Sequence, residues 1–260
     1  MKTLLRWLLG ALFFLVACQA PVPRHIFLDS PAVPPAKILA APDPAVLRVF
    51  LHEDGFPPFD FGDPGDGSPP QGIYPELMDA LCRRAGLQWF PVALPPGRIY
   101  QSFRAGDVDV EVGVNPGWRG SEEELSVYSV PFATDENTIL TRKNFGGAVK
   151  VLGTVTGYVY PSLTRKFADG SLVRFDAKNE RSLLDLLAGG RIDAAVMTKA
   201  VAQYLVRSGH DRVGFGPAID RLPLSIRLHK KYTFLLPAID RALRSLKADG
   251  TLERIYAQYR

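Results

Sequence analysis

From residue 47 to the C-terminus, short apolar strand patterns alternate with amphipathic helical patterns, and this alternation limits the fold more than any other feature of the sequence. Strands that alternate with helices are typical of βαβ units, in which helices cover a mainly parallel sheet. We therefore predict an α/β protein. The predicted strands span 47–51, 87–94, 107–114, 136–142, 150–155, 172–175, 192–197 and 222–228. The predicted helices end at Gly86 and Gly106, span 180–188 and 199–208, and fill the C-terminal segment on either side of Gly250.

The first residues resemble a secretory signal. Basic residues flank an apolar run over 7–17, which is shorter than the roughly 20 residues that a membrane-spanning helix needs. The run ends in LVAC at 15–18, which resembles a bacterial lipobox, although an ordinary signal with a chance cysteine is the alternative. We predict that 1–17 is a signal peptide, that Cys18 is lipidated, and that the protein is anchored by this lipid in the periplasm. The proline-rich residues 18–45 are predicted to be a tether.

Charge and composition exclude several classes of function. The net charge of +4 falls to +2 without the two basic residues of the predicted signal, and there is no basic block, so we predict no nucleic-acid partner. If Cys18 is lipidated, Cys82 has no disulfide partner, and its helical apolar neighbours predict a small buried hydrophobe. The histidines lack metal-ligand spacing, and no phosphate-cradling loop or nucleophile elbow is present. We expect a monomer without a cofactor.

The loops that follow the predicted strands hold the candidate binding residues. In an open α/β sheet, ligands bind beyond the carboxyl ends of the strands. Charged, aromatic, glycine and proline residues gather at five such ends. These segments are 53–59 (EDGFPPF), 95–98 (PPGR), 115–119 (NPGWR), 156–160 (TGYVY) and 198–199 (TK). We expect these loops to meet around one ligand.

Six motifs in order resemble the family-3 extracellular solute-binding proteins, the polar-amino-acid class of ABC-transporter receptors. The motifs are FPPFDF at 56–61, QGIYPELMDAL at 71–81, RAGDVDV at 104–110, YSVPF at 128–132, LLAGGRIDAAV at 186–196 and LKADGTLERIYAQY at 246–259. The resemblance covers about 47–260. It implies the two-lobe periplasmic-binding-protein fold of type II, in which each lobe is a mainly parallel sheet flanked by helices and two hinge strands join the lobes. Lobe one would comprise 46–134 and 224–260, and lobe two, with the hinge segments, 135–223.

The resemblance also implies a function. The chain would capture a small polar ligand in the cleft between the lobes, for the permease of an ABC importer. A sensory receptor that passes its closed state to a sensor protein is an alternative. A periplasmic dehydratase that uses a cleft carboxylate, Glu53 or Glu111, is a weaker one, so we expect no enzyme activity.

Several residues take candidate roles from this resemblance. Glu53 and Phe56 match positions that face the ligand, and the Phe56 ring would supply stacking or cation–π contact. Gly157 matches a lobe-two glycine that lets backbone approach the ligand, and Tyr158 beside it would close the cleft. Asn115 follows the third strand and joins the predicted ligand-binding set.

The ligand's charge is predicted from two arginines and one departure from the family pattern. Arg119 lies near the family's carboxylate-binding arginine but is displaced along its loop, and Arg98 is a rival. Amino-acid binders usually present an aspartate where this chain has Thr198, followed by Lys199. This departure argues against an α-amino acid as the ligand, because an unpaired ammonium would be costly to bury there. A ligand with an anionic group is the resulting expectation.

Overall fold

The structure is a computed structural model that describes residues 46–62 and 64–259. The predicted signal peptide, Cys18 and the tether over 18–45 lie outside these residues. Among the described residues, no helix combines the length and the apolar character that crossing a membrane requires.

Strands and helices alternate along the described chain as the sequence predicts. The strands are β1 (Val46–His52), β2 (Gln88–Leu94), β3 (Val110–Val114), β4 (Ser126–Tyr128), β5 (Ala133–Arg142), β6 (Val151–Val155), β7 (Val173–Ala177), β8 (Ala194–Thr198) and β9 (Val213–His229). The helices are α1 (Ile73–Ala85), α2 (Ile99–Ala105), α3 (Thr164–Ala168), α4 (Glu180–Ala188), α5 (Lys199–Arg207), α6 (Leu236–Ala248) and α7 (Thr251–Ala257). The short elements β4 and α3 were not predicted. Gly86 and Gly106 end α1 and α2 in the left-handed conformation, as predicted.

The two halves of the chain repeat one topology. In the first half, β1 pairs in parallel with β2 and β3. In the second half, β6 pairs in parallel with β7 and β8. Each parallel set is completed by an antiparallel strand, β9 beside β3 and β5 beside β8. Helical crossovers join the parallel strands, so each half is a mainly parallel sheet flanked by helices, as predicted.

Two long antiparallel strands connect the halves. β5 pairs with β9 from Ala133 opposite Leu224 to Arg142 opposite Val213. The last residues of β9 then pair with β3 and β4 instead. The sequence predicts only 222–228 of this strand, because the preceding residues are largely exposed and lack a clear apolar period. Their strand conformation comes from backbone pairing with β5.

The third strand differs from its prediction on one point. Alternation over 107–114 predicts one buried face, with the acidic residues on the solvent side. In the structure Asp109 and Glu111 are as buried as the valines that alternate with them. Asp109 pairs with Arg48 at 2.8 Å and with Lys231 at 2.9 Å. Ion pairing therefore permits burial of both faces of β3, which the apolar pattern cannot reveal.

A buried arginine ties β9 to β3 and to the turn that precedes β4. Arg227 is fully buried, and its guanidinium pairs with Glu111 of β3 and with Glu122, the latter at 2.8 Å. Its Nε donates to the Ser126 hydroxyl at 2.9 Å, and the guanidinium lies 3.5 Å from the centre of the Phe103 ring. A buried cation is tolerated here because two carboxylates and an aromatic face surround it.

Cys82 is a free, buried thiol, as the sequence predicts. Burial raises its pKa to about 12, so the thiol stays protonated at neutral pH.

We predict that Arg227→Met severely destabilises the fold, because it leaves Glu111 and Glu122 buried with less compensating charge. The free energy of unfolding, measured by urea denaturation, should fall by about 3–5 kcal/mol. The control is Arg244→Met, which removes an exposed arginine that lies 3.7 Å from Asp240 one turn away. This control should cost less than about 0.5 kcal/mol. Equal losses in the two variants would contradict a structural role for the buried network.

Candidate functional site

A cavity of about 90 Å³ lies between the two sheets, beyond the carboxyl ends of β1, β3, β6 and β8. Its volume suits a small solute or several water molecules. Five of the predicted binding residues line it, namely Phe56, Arg119, Gly157, Tyr158 and Thr198. Loops from both halves of the chain therefore meet at one place.

Three other predicted residues do not line the cavity. Glu53 and Arg98 are exposed outside it. The Asn115 side chain accepts a hydrogen bond from the Gly117 amide at 3.0 Å and donates one to the Pro223 carbonyl at 2.9 Å. Asn115 therefore caps its own turn and ties it to β9.

Arg119 reaches the cavity with its guanidinium already engaged. Its Nη2 lies 2.7 Å from Oε1 of Glu111 and its Nε 3.2 Å from Oε2, which is a two-pronged contact. Its Nη1 donates to the Tyr100 hydroxyl at 3.1 Å. Although burial alone would raise the pKa of Glu111, Arg119 and Arg227 together hold that pKa below its ordinary value. The positive charge of Arg119 is thus neutralised within the protein.

His52, at the end of β1, links the two halves across the cavity. Its Nδ1 lies 2.8 Å from Oδ2 of Asp60, and its Nε2 lies 3.1 Å from the Tyr158 hydroxyl. Burial alone would lower the pKa of His52, but Asp60 beside it, with Glu180 and Glu111 farther away, raises that pKa above its ordinary value. The Glu180 carboxylate is buried near the Tyr158 hydroxyl, and burial raises the Glu180 pKa. These contacts favour a protonated His52 that donates to both neighbours.

Asp135 is a charged cavity residue that the sequence analysis does not single out. It lies on β5, and one of its carboxylate oxygens accepts a hydrogen bond from the Thr198 hydroxyl at 3.0 Å. Within residues 46–62 and 64–259, no lysine, arginine or histidine forms an ion pair with it. Burial raises the pKa of Asp135 to about 6. Lys199 does not line the cavity and instead pairs with Glu136 at 2.7 Å.

The halves touch around the cavity rim. Gly157 lies so close to the backbone of Gly97 that a Cβ atom at position 157 would come within 2.9 Å of the Gly97 Cα. Oδ2 of Asp54 lies 2.9 Å from Nζ of Lys178. The same oxygen accepts a hydrogen bond from the side-chain amide of Asn179 at 2.9 Å. These contacts are made only while the halves stay together.

Aromatic rings form much of the cavity wall. The Phe56 ring stacks on His52 with 4.7 Å between centroids and meets Tyr158 edge-on at 6.2 Å. Trp118 and Tyr160 also line the cavity. The wall therefore combines aromatic side chains with few charged groups. Among the described residues, no cluster of three or more histidine, cysteine or acidic side chains is arranged to hold a metal ion.

Comparisons with known proteins agree with this geometry. Residues 47–260 match the model of the bacterial extracellular solute-binding proteins, family 3. The chain is 25% identical over 214 residues to the L-cystine-binding protein TcyJ of Escherichia coli strain K12, a match that covers 78% of both chains. It is 22% identical over 222 residues to the arginine-binding periplasmic protein of Mannheimia haemolytica, covering 81% of this chain and 90% of that one.

A solved structure confirms the predicted two-lobe fold. The crystal structure of a histidine kinase sensor domain with similarity to periplasmic binding proteins has a TM-score of 0.72 with this chain. The match covers 84% of this chain and 96% of the other at 20% identity, so it shows a shared fold alone.

We predict that Asp135→Asn stabilises the ligand-free protein at neutral and alkaline pH. The folded protein keeps the Asp135 proton up to about pH 6, whereas the unfolded chain releases it near pH 4. Stability from this carboxyl group is therefore complete below about pH 4 and is lost as the pH rises through about 6. Asparagine should raise the free energy of unfolding by up to about 3 kcal/mol at pH 8 and leave it unchanged at pH 4.

The control for this measurement is Glu136→Gln, which removes the neighbouring carboxylate that pairs with Lys199 outside the cavity. It should change stability by less than about 1 kcal/mol at either pH. A stability gain in Asp135→Asn that does not depend on pH would refute the assignment to a buried charge.

Proposed function

The chain belongs to the bacterial extracellular solute-binding proteins of family 3, as its motifs predict, and from this premise we propose that it captures a small polar solute between its two lobes for an ABC importer. The observation that carries the proposal is a cavity enclosed by strand-end loops of both lobes. The relatives with the names L-cystine-binding protein and arginine-binding periplasmic protein support a ligand of amino-acid size.

We propose that the lobes move about β5 and β9. Residues 46–134 with 224–260 would form one rigid body and 135–223 the other. The long antiparallel pairing of β5 with β9 supports this division, because these strands carry the chain between the sheets. A solute that contacts both lobes would stabilise the closed form, which the permease or another partner would recognise.

Two alternative functions would use the same cavity, namely ligand sensing and dehydratase catalysis. A sensory receptor is supported by the similarity in fold to a histidine kinase sensor domain. A dehydratase would need a proton-accepting carboxylate in the cavity. Glu53 is exposed outside the cavity, and the low pKa of Glu111 between two arginines makes it a weak base. These facts favour binding over catalysis.

The proposed solute is polar, and its charge decides which residues hold it. The anionic ligand expected from the sequence would need Arg119 or Arg98 as its partner. Arg119 is paired with Glu111, and Arg98 is exposed outside the cavity. Contacts to Phe56, Gly157, Tyr158 and Thr198 suit a solute of either charge.

We also propose that the protein is a monomer anchored by a lipid at Cys18 and held in the periplasm. The LVAC sequence after an apolar run supports this anchor. Family membership supports export in general.

Lobe closure is tested with Gly157→Ala. The added methyl group would clash with the backbone of Gly97 only when the lobes are together. Gly170→Ala is the matched control, since Gly170 also has positive φ but has open space around it. Both variants should lose about 1–2 kcal/mol of stability from backbone strain.

A panel of amino acids, amines, carboxylates and sugars is first screened by thermal shift for a stabilising solute. Small-angle scattering with that solute should show a smaller radius of gyration for the wild type and for Gly170→Ala. Gly157→Ala should not contract. Contraction of all three proteins to the same radius would refute closure at this contact.

Lipid anchoring is tested with Cys18→Ser in the full-length chain expressed in a bacterium with lipoprotein processing. The wild type should fractionate with membranes and carry a mass increment on a mature chain that begins at Cys18. The variant should be soluble or keep its signal peptide, because it lacks the thiol that receives the lipid. A wild-type mature chain that begins elsewhere without added mass would exclude the anchor.

A further inference from the structure

We infer that the solute is an organic cation without a free carboxylate, and that Asp135 holds its positive charge. This inference rests on the proposed function and names its ligand class. It follows from the balance of charges around the cavity.

Asp135 is the carboxylate of the cavity that lacks a counter-ion. Its contact with the Thr198 hydroxyl is neutral and leaves the charge of the group uncompensated. The other charged side chains of the wall already have partners of opposite charge. His52 faces Asp60, and Arg119 is held by Glu111. A cationic solute would neutralise Asp135, whereas an anion would add a second uncompensated charge.

A carboxylate on the solute would find no free cation. The two-pronged contact that suits a carboxylate is already occupied on Arg119 by Glu111. Lys199 pairs with Glu136 outside the cavity, and Arg98 is exposed outside it. Burial of an unpaired carboxylate would be strongly unfavourable. The cavity therefore favours an amine over the amino acid of the same side chain.

The aromatic wall suits the same ligand class. The side chains that line the cavity include those of Phe56, Trp118, Tyr158 and Tyr160. An aromatic lining attracts a cation and also covers a hydrocarbon chain, which is the composition of an aliphatic amine or guanidine.

Asp135 also occupies a position that explains the departure at Thr198. The family pattern leads us to expect a carboxylate at the end of β8, where this chain has a threonine. The Thr198 hydroxyl donates to a carboxylate that comes from the neighbouring antiparallel strand, β5. The negative charge is thus supplied from β5 instead of β8.

The pH dependence of solute affinity is a second, independent test of the role of Asp135. Because burial raises the pKa of Asp135 to about 6, a bound cation must displace a proton below that pH. Affinity should fall about tenfold for each pH unit below 6. Other titratable or charged groups face the same space. They are His52, Tyr74, Glu111, Arg119, Tyr158 and Tyr160. Glu136 follows Asp135 in β5 but lies outside the cavity, where it pairs with Lys199. Protonation of His52 would weaken cation binding in the same direction, so the pH dependence must be compared with that of Asp135→Asn.

The experiment compares three amines with the amino acids that share their side chains, using calorimetry on the mature protein. The pairs are isobutylamine with valine, isoamylamine with leucine, and butylamine with norvaline, in which each amine carries one positive charge for the one carboxylate of Asp135. At least one amine should bind, and at least tenfold more tightly than its amino acid. Asp135→Asn should weaken that amine about 100-fold, which is about 2.7 kcal/mol. Glu136→Gln, which removes an adjacent carboxylate outside the cavity, should bind like the wild type.

Each contrary result overturns a stated part of the inference. Amino acids that bind as tightly as the amines overturn the exclusion of a carboxylate. Equal amine binding by the wild type and Asp135→Asn overturns the role of Asp135. If no amine binds, or if an anionic or neutral solute is the one that closes the lobes in scattering, the cationic class is wrong. In that last case the proposed solute-binding function still stands, because closure is measured independently through Gly157→Ala.

Discussion

The sharing of Glu111 between Arg119 and Arg227 is the interaction on which the site depends. Arg227 comes from β9 and Glu111 from β3, so their pairing fixes these two neighbouring antiparallel strands to each other. The same carboxylate holds Arg119 against the cavity wall. Removal of any one member would leave the others buried without full compensation, which makes the cluster cooperative. One buried network therefore sets both the strand packing and the charge that a solute meets.

Because Arg119 is paired with Glu111, its presence in the cavity wall does not indicate a carboxylate ligand. A guanidinium in a cleft usually indicates a carboxylate ligand, because its planar donors match a carboxylate. Here the protein supplies that carboxylate itself. The unbalanced charge of the cavity is then the negative charge of Asp135, which is held there at a cost in stability. Such an uncompensated buried group is typical of a functional site and is hard to explain as a packing feature.

Contacts between the lobes include polar pairs, a close backbone approach and edge-on ring contacts such as that of Phe56 with Tyr158. His52 meets Tyr158, and Asp54 meets Lys178 and Asn179, while the glycine backbones at 157 and 97 touch. Solvent-exposed pairs such as Asp54 with Lys178 contribute at most about 1 kcal/mol. In the hinge motion that we propose, such weak pairs would keep the open and closed forms close in free energy. A solute that binds both lobes can then decide the population with its own binding energy.

Local patterns in the sequence determine the order of elements and the strand-end loops, since apolar periodicity and glycine positions report on each segment alone. The two-lobe fold was implied by the resemblance of six motifs to a known family. Phe56, Gly157 and Thr198 were placed at the cavity by their positions in strand-end loops, because carboxyl ends of parallel strands meet at one edge. The pairing of charges needed the tertiary structure. Asp135 and Thr198 are 63 residues apart, and they meet only because β5 runs antiparallel beside β8. The sequence thus determines which loops reach the cleft, whereas long-range strand pairing brings in Asp135 and decides which charges remain free for a ligand.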